Sequence, residues 1–302
     1  MPDRFPALRH RNFTLYLAAR VLATLAVQMQ SVAIGWQVYA ITGDPLDLGF
    51  IGLAQFLPFV VLVLPAGQIA DRFDRRTIVA LCYGVEVLCA LVLLGFTFTG
   101  LVEVWPVFAV LVLFGAARAF AMPASQALTP NLVPREAFSN AIALNSSAFH
   151  VATIIGPSLG GLLYVTGPDT VYSAVAALLG VSVVMMTRVR LPAVVRRTEP
   201  ANLQTLLEGI TFVRSKPIVL GAISLDLFAV LFGGAVALLP AFASDILAIG
   251  PEGLGILRTA PAVGAGLTAA SLALFPIGRH VGLWMFAGVA TFGCATILFA
   301  LS

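Results

Sequence analysis

From Phe13 onward the chain is a succession of long apolar runs separated by short polar breaks, and each run is long enough to cross a lipid bilayer. A helix spanning the hydrocarbon core needs about 20 mostly apolar residues, because every backbone donor and acceptor must be satisfied within the segment. Nine such spans are expected, near 13–41, 46–69, 77–98, 105–124, 138–166, 170–189, 217–243, 253–275 and 283–302. The runs are continuous rather than alternating with period two, which excludes β-barrel strands. The fold class implied is an all-α polytopic membrane bundle. Only 10% of residues are charged, against about 25% in a soluble domain, so a water-soluble enzyme is excluded. Seventeen bases against fourteen acids are too few and too scattered for nucleic-acid binding. Cys82, Cys89 and Cys294 all lie inside apolar runs, so neither a disulfide framework nor a metal site is expected, and no cofactor.

The charges set the expected orientation. Of the seventeen Arg and Lys residues, all but Arg20, Arg118 and Arg258 fall at the N-terminus or in every second loop: Arg4, Arg9 and Arg11, then Arg72, Arg75 and Arg76, then Arg135, then the stretch from Arg188 to Lys216, then Arg279. The opposite loops hold only acids: Asp44, Asp47, Glu103, Asp169, Asp245 and Glu252. By the positive-inside rule the N-terminus is cytoplasmic. A cleavable signal peptide is not expected, since the first run is twice the length of such a segment and contains Arg20, Gln28 and Gln30. The only long cytoplasmic connection joins the sixth and seventh spans. In it Leu203, Leu206, Leu207, Ile210 and Val213 recur at helical spacing, as in an amphipathic helix lying on the membrane. The expected organisation is a six-helix half over 1–190, a linker over 191–216 and the first three helices of a second half over 217–302. Leu48-Gly49 and Leu254-Gly255 open the corresponding spans of the two halves, as repeated halves of a secondary transporter would.

Two motifs stand out. The loop after the second span reads Gly67-Gln68-Ile69-Ala70-Asp71-Arg72-Phe73-Asp74-Arg75-Arg76, where a glycine permits close approach of helix ends and an acid with a basic cluster can pair with helix termini. A generic positive-inside loop is the competing reading. In the fifth span, Ala148, Ala152, Gly156 and Gly160 recur every four residues within a stretch containing Gly156-Pro157-Ser158-Leu159-Gly160-Gly161. They form one smooth face on which another helix can pack closely, and Pro157 bends the helix. The first motif resembles the GxLaDRxxRR signature of the major facilitator superfamily, and the second the GPxxGG motif of its exporters. Arg118 stands where that superfamily often has a buried arginine. Gly43-Asp44-Pro45-Leu46, Pro123-Ala124, Leu132-Val133-Pro134 and the run from Ala260 to Ala265 extend the similarity to the subgroup of the enterobactin exporter and macrolide-efflux-like proteins. The resemblance implies a twelve-helix fold, of which nine helices are present and three of the second half missing. It also implies that the fifth-span face packs across the two halves. Pro276-Ile277-Gly278-Arg279-His280 is a degenerate second copy of the charged loop.

Polar groups inside the spans are functional candidates, because a charge near the bilayer centre costs at least ~2.5 kcal/mol. Asp226 lies about 14 Å into the seventh span at 1.5 Å per residue. The resembling fold lines its cavity with that helix, which makes Asp226 the first candidate for proton coupling. Glu86, at similar depth in the third span, is the second, with a structural role as the alternative. Arg20 and Arg118, expected five to seven residues from the cytoplasmic side, can hold an anionic substrate group, pair with a carboxylate, or snorkel to the interface. Arg258 is expected to pair with Glu252 or nearby carbonyls. Gln30 and Gln37, seven apart, share a helix face suited to substrate or to polar contacts between helices; Gln28 and Gln55 add to them. His150 reads as a packing residue. No GxxxxGK[ST] loop occurs, so direct ATP drive is excluded. The function implied is a proton-coupled secondary exporter in the cell (inner or plasma) membrane, moving a small amphipathic organic compound such as a siderophore or drug by alternating access. A membrane binding or regulatory module that does not transport, or an inactive fragment, is the alternative. A channel is disfavoured, since no span offers a carboxylate ring.

Overall fold

In a computed structural model of the chain, the residues described are 6–100, 103–191, 213–232, 234–274 and 281–301. Six long helices come first: α1 (Arg11–Thr42), α2 (Pro45–Arg72), α3 (Arg75–Thr99), α4 (Trp105–Leu132), α5 (Phe138–Tyr164) and α6 (Pro168–Arg188). They are followed by α7 (Pro217–Phe232), α8 (Pro251–Leu274) and α9 (Val281–Leu301). Among the described residues seven helices are long and apolar enough to cross a membrane. The expected linker helix lies outside the described residues apart from its last member, Val213, and so does Pro276–His280.

The connections follow from the capping chemistry. At the end of α1, Gly43 adopts φ +62° and its N–H donates to the Tyr39 carbonyl at 2.8 Å, closing the helix in a conformation that glycine adopts without steric cost. Asp44 then caps α2, its carboxylate accepting from the Leu46 N–H at 2.8 Å, with Pro45 in the first turn. Gly43-Asp44-Pro45-Leu46 is thus a complete stop-and-start signal between two antiparallel helices. Asp74 does the same for α3, accepting from the Arg76 N–H at 3.0 Å.

Two helices depart from expectation. α4 continues past 124 to Leu132 with Pro123 and Pro130 inside it; in a membrane bundle neighbouring helices compensate a proline that would stop a soluble helix. The run 217–243 is broken. α7 ends at Phe232, and a 3₁₀ turn (Gly234–Leu238), one helical turn (Leu239–Ala241) and a π-type turn (Phe242–Ile246) follow. Glycine is a poor helix former, and Gly234 opens the 3₁₀ turn.

The chain forms two compact units, Met1–Arg197 with Pro240–Gly264, and Thr198–Leu239 with Ala265–Ser302. Within the first, α1 packs along α5 and α6, α3 along α6 and α4, and α2 along α4. The buried face of α1 runs Phe13, Tyr16, Ala19, Ala23, Ala26, Met29, Ala33, a spacing of three and four that keeps one stripe inward. Large apolar side chains also cover the outside, Leu81, Leu88 and Val92 on α3 among them, because the solvent there is lipid. With both faces apolar, close packing rather than water exclusion joins the helices. Gly115 of α4 shows it: a Cβ there would collide with the Gln55 carbonyl of α2.

Candidate functional site

The charged motif is built from helix ends rather than a loop. Gly67, Asp71 and Arg72 belong to α2, and Arg75 and Arg76 open α3, leaving Phe73 and Asp74 as the connection. Arg75 donates to the Ala70 carbonyl (3.2 Å) and the Ala127 carbonyl of α4 (3.2 Å), and pairs with Asp71 at 3.2 Å. Arg76 donates to the Val189 carbonyl beyond α6 at 2.9 Å and pairs with Asp74 at 3.5 Å. The two guanidinium groups therefore satisfy carbonyls at or near three helix C-termini, where partial negative charge accumulates. Gly67 differs from expectation: a Cβ there meets nothing within 4 Å, so no helix approaches it closely among the described residues.

The fifth-span motif grips two neighbours. Residues four apart on a helix drift by only about 40°, whereas adjacent ones differ by about 100°, so Gly156/Gly160 and Pro157/Gly161 form two stripes facing different ways. The first stripe lies against α1. A Cβ on Gly156 would sit 2.5 Å from Gln28 Cβ, and one on Gly160 would sit 2.7 Å from Met29 Cα. The second stripe lies against α8, where a Cβ on Gly255 would be 2.7 Å from the Pro157 carbonyl and 3.2 Å from Gly161 Cα. Ser158 Oγ and Thr259 Oγ1 are hydrogen-bonded at 2.7 Å, and Thr259 Oγ1 also donates toward the Ile154 carbonyl at 3.0 Å. The small-residue face expected to cross to the second half thus packs inside the first six helices; its neighbour stripe reaches α8.

Between α1, α2 and α4 lies a cavity of about 40 Å³ lined by Gln28, Gln30, Ser31, Gln55, Phe114 and Arg118, with Val27, Ile34 and Leu111 as its apolar wall. Gln30 is 1% exposed, and neither its Nε2 nor its Oε1 has a hydrogen-bond partner among the described residues. Arg118 makes no hydrogen bond or ion pair with a described residue; its guanidinium lies 5.9 Å from the Phe114 ring centroid. Because α4 continues to Leu132, Arg118 stands fourteen residues, about 21 Å, from that end rather than five to seven residues. Such depth leaves snorkelling out of reach. Ser31 joins the cavity to α8: Arg258 Nη1 donates to Ser31 Oγ at 2.7 Å. Arg258 therefore turns to α1, not to Glu252, which is six residues and about 120° away around the helix.

The other candidates are dispersed. Arg20 lies over the Phe149 ring at 5.7 Å and donates to Tyr16 Oη at 3.5 Å; Tyr16 in turn donates to the Ser125 carbonyl at 2.8 Å, a chain linking α1, α4 and α5. Gln37 accepts from Tyr172 Oη at 2.6 Å, so it joins α1 to α6 and does not line the cavity. Glu86 is 2% exposed, its Oε2 has no hydrogen-bond partner among the described residues, and the charge of Arg118 acts on it. Asp226 is exposed on α7, in the second unit, and His150 is exposed on α5. Tyr39 donates to the Asp245 carboxylate, a contact that no motif announces. A larger hollow, of about 700 Å³ between α2 and α4, carries less chemistry: it is walled by Phe50, Leu53, Leu57, Val61 and Phe108, with Asp47 as its one charge. No group of three or more metal-ligating side chains occurs among the described residues.

The family model described as transmembrane secretion effector, of the major facilitator type, matches residues 3–302. The chain belongs to that family. Curated relatives include the enterobactin exporter EntS of Shigella boydii serotype 18 and its counterparts in Escherichia coli strains, 26% identical over 282 residues, or 91% of this chain and 66% of theirs. The chain thus spans just under two thirds of the length of the relatives it matches. Among solved structures, a bacterial homologue of the human lysosomal transporter Spinster, inward-facing and unoccupied, gives a TM-score of 0.69 at 16% identity. It covers 91% of this chain and 64% of that one. The fold is that of a multi-pass helical transporter of the major facilitator superfamily.

Proposed function

We propose that the protein is a secondary active exporter in the cell (inner or plasma) membrane. It moves a small amphipathic organic compound outward by alternating access, against an inward flux of protons. The observation that carries this reading is the cavity at mid-helix in α1 and α4, where the Gln30 carboxamide and the Arg118 guanidinium have no hydrogen-bond or ion-pair partner among the described residues. Leaving such groups unsatisfied in a lipid-embedded bundle is costly, and a passing ligand satisfies them. The relatives named as enterobactin exporters favour a siderophore or drug-like cargo over a nutrient.

Asp226 is the coupling carboxylate in this proposal, being the sole acid of α7. Neutral with a proton and charged without one, it couples proton movement to that of the cargo. The N-terminus is cytoplasmic, on the strength of the loop charges. The two-half plan, with a linker over 191–216, is the framework within which access alternates.

The test is flux in proteoliposomes with an imposed pH gradient, comparing the chain with its Asp226→Asn variant. Concentrative, gradient-dependent movement that the substitution abolishes supports the reading. Undiminished flux in the variant removes Asp226 from the mechanism, and absence of flux from the unaltered chain favours a binding module instead.

A further inference from the structure

The cavity between α1, α2 and α4 constrains its occupant by size and by charge. At about 40 Å³ it exceeds what one water needs, roughly 10–15 Å³ on the same measure, and is far below the roughly 300 Å³ of a pocket that encloses an organic ligand. It therefore takes one functional group, not a whole molecule. Arg118 is the only charged residue of the lining, and no acid contributes to it.

The donors converge. Gln30 offers an unpartnered Nε2, and the Arg118 fork is free of hydrogen bonds to described residues. Ser31 Oγ already accepts from Arg258, so its own proton is left to donate, with the Arg258 charge directly behind it. Glu86 acts on Arg118 from α3, yet it does not line the cavity and forms no ion pair with Arg118 among the described residues. We propose that this cavity is a subsite for a single carboxylate, held by Arg118 with Gln30 and Ser31, while the apolar body of the ligand lies outside it. A planar carboxylate matches the guanidinium fork with two parallel hydrogen bonds. This names the acidic group of the cargo and so rests on the exporter reading for its biological use, although binding itself requires no transport.

The experiment is equilibrium binding to the full chain in detergent at pH 7, with benzoate, benzamide and benzylamine as probes of one shape and different charge. Saturable benzoate binding is expected, with benzamide and benzylamine weaker by about tenfold or more. Arg118→Gln should abolish it. Arg118→Lys, which keeps the charge without the fork, should weaken it by about tenfold, and Gln30→Leu should weaken it severalfold. Each variant is first required to melt like the parent without ligand, and Arg118→Lys carries the test if Arg118→Gln does not fold. Benzamide binding as tightly as benzoate, benzoate binding indifferent to Arg118, or no saturable benzoate binding overturns the subsite. Arg118-dependent binding without flux in proteoliposomes leaves the subsite standing and sinks the exporter reading. Flux with no benzoate binding does the reverse.

Discussion

Gly255→Ala should open the seam between α5 and α8 without unfolding the bundle. The added methyl would sit 2.7 Å from the Pro157 carbonyl, where ordinary contact begins at 3.4 Å, so the two helices must part by at least about 0.7 Å or one must tilt. Overpacking of this kind costs about 1–3 kcal/mol, which at 1.4 kcal/mol per decade lowers the closed-to-open ratio of the seam by about 5- to 140-fold. Gly160→Ala introduces a clash of the same size, 2.7 Å from Met29 Cα, but between α1 and α5, inside the first six helices. It should lower the melting temperature and leave the seam alone. Gly180→Ala, where a Cβ meets nothing within 4 Å, is the control.

The assay is cross-linking of Ser158→Cys with Thr259→Cys under limiting oxidant, the parent hydroxyls being 2.7 Å apart. Cys294, which is exposed, is replaced first; Cys82 and Cys89 are buried. The cross-linking rate reports the closed fraction, and on the alternating-access proposal the seam parts once in each cycle. A Gly255→Ala variant that cross-links like its parent refutes the reasoning. So does a Gly160→Ala variant that loses cross-linking while melting normally.

Further outcomes follow from contacts already described. Tyr172→Phe should destabilise the protein by about 0.6–1.7 kcal/mol by stripping Gln37 of its donor, and adding Gln37→Leu should restore much of that; a thermal-melt double-mutant cycle measures the coupling, and additivity would return Gln37 to the list of substrate groups. Arg76→Ala should cost about 1.5–3 kcal/mol through the lost charge-assisted bond to the Val189 carbonyl, read as a lower melting temperature that Arg76→Lys only partly recovers. Gly115→Ala should be among the most destabilising single methyl additions in the chain, since the new Cβ meets the Gln55 backbone rather than a side chain that can swing aside; normal expression and melting would refute it. Ser31→Ala should leave Arg258 short of its α1 partner and lower the melting temperature, with Ser31→Thr tolerated.

What the sequence made legible is what the bilayer dictates. Continuous apolar runs announced the helices because lipid leaves no other way to satisfy the backbone, and Gly43-Asp44-Pro45-Leu46 announced a turn because each residue has a local role. What it hid is whatever depends on a distant partner. Tyr172 lies 135 residues from Gln37, and Arg258 chose Ser31, 227 residues away, over Glu252 in its own helix. The apolar run closes near 124, yet α4 continues through Pro123 and Pro130 to Leu132, which places Arg118 at mid-helix. Gln30 and Gln37 share a helix face at seven-residue spacing; only Tyr172 beside one and the cavity beside the other separate them.

In a soluble bundle the apolar stripe of a helix tells where its neighbour lies. Here that signal is absent, since lipid and protein interior are equally apolar and the outward faces of α2 and α3 are as hydrophobic as the buried ones. Small residues take over the role, because close approach of backbones is what joins helices in lipid. Read this way, the doublets Gly156-Pro157 and Gly160-Gly161 are not one motif but two stripes side by side, about 100° apart. Both bring helices into close contact, Gly156 and Gly160 against Gln28 and Met29 of α1, and Gly161 against the start of α8. Only the contact with α8 adds a pair of hydroxyls, Ser158 and Thr259, that can exchange each other for water. A helix that is to keep one neighbour and release another needs two such faces of different chemistry, and this hexapeptide supplies both in less than two turns.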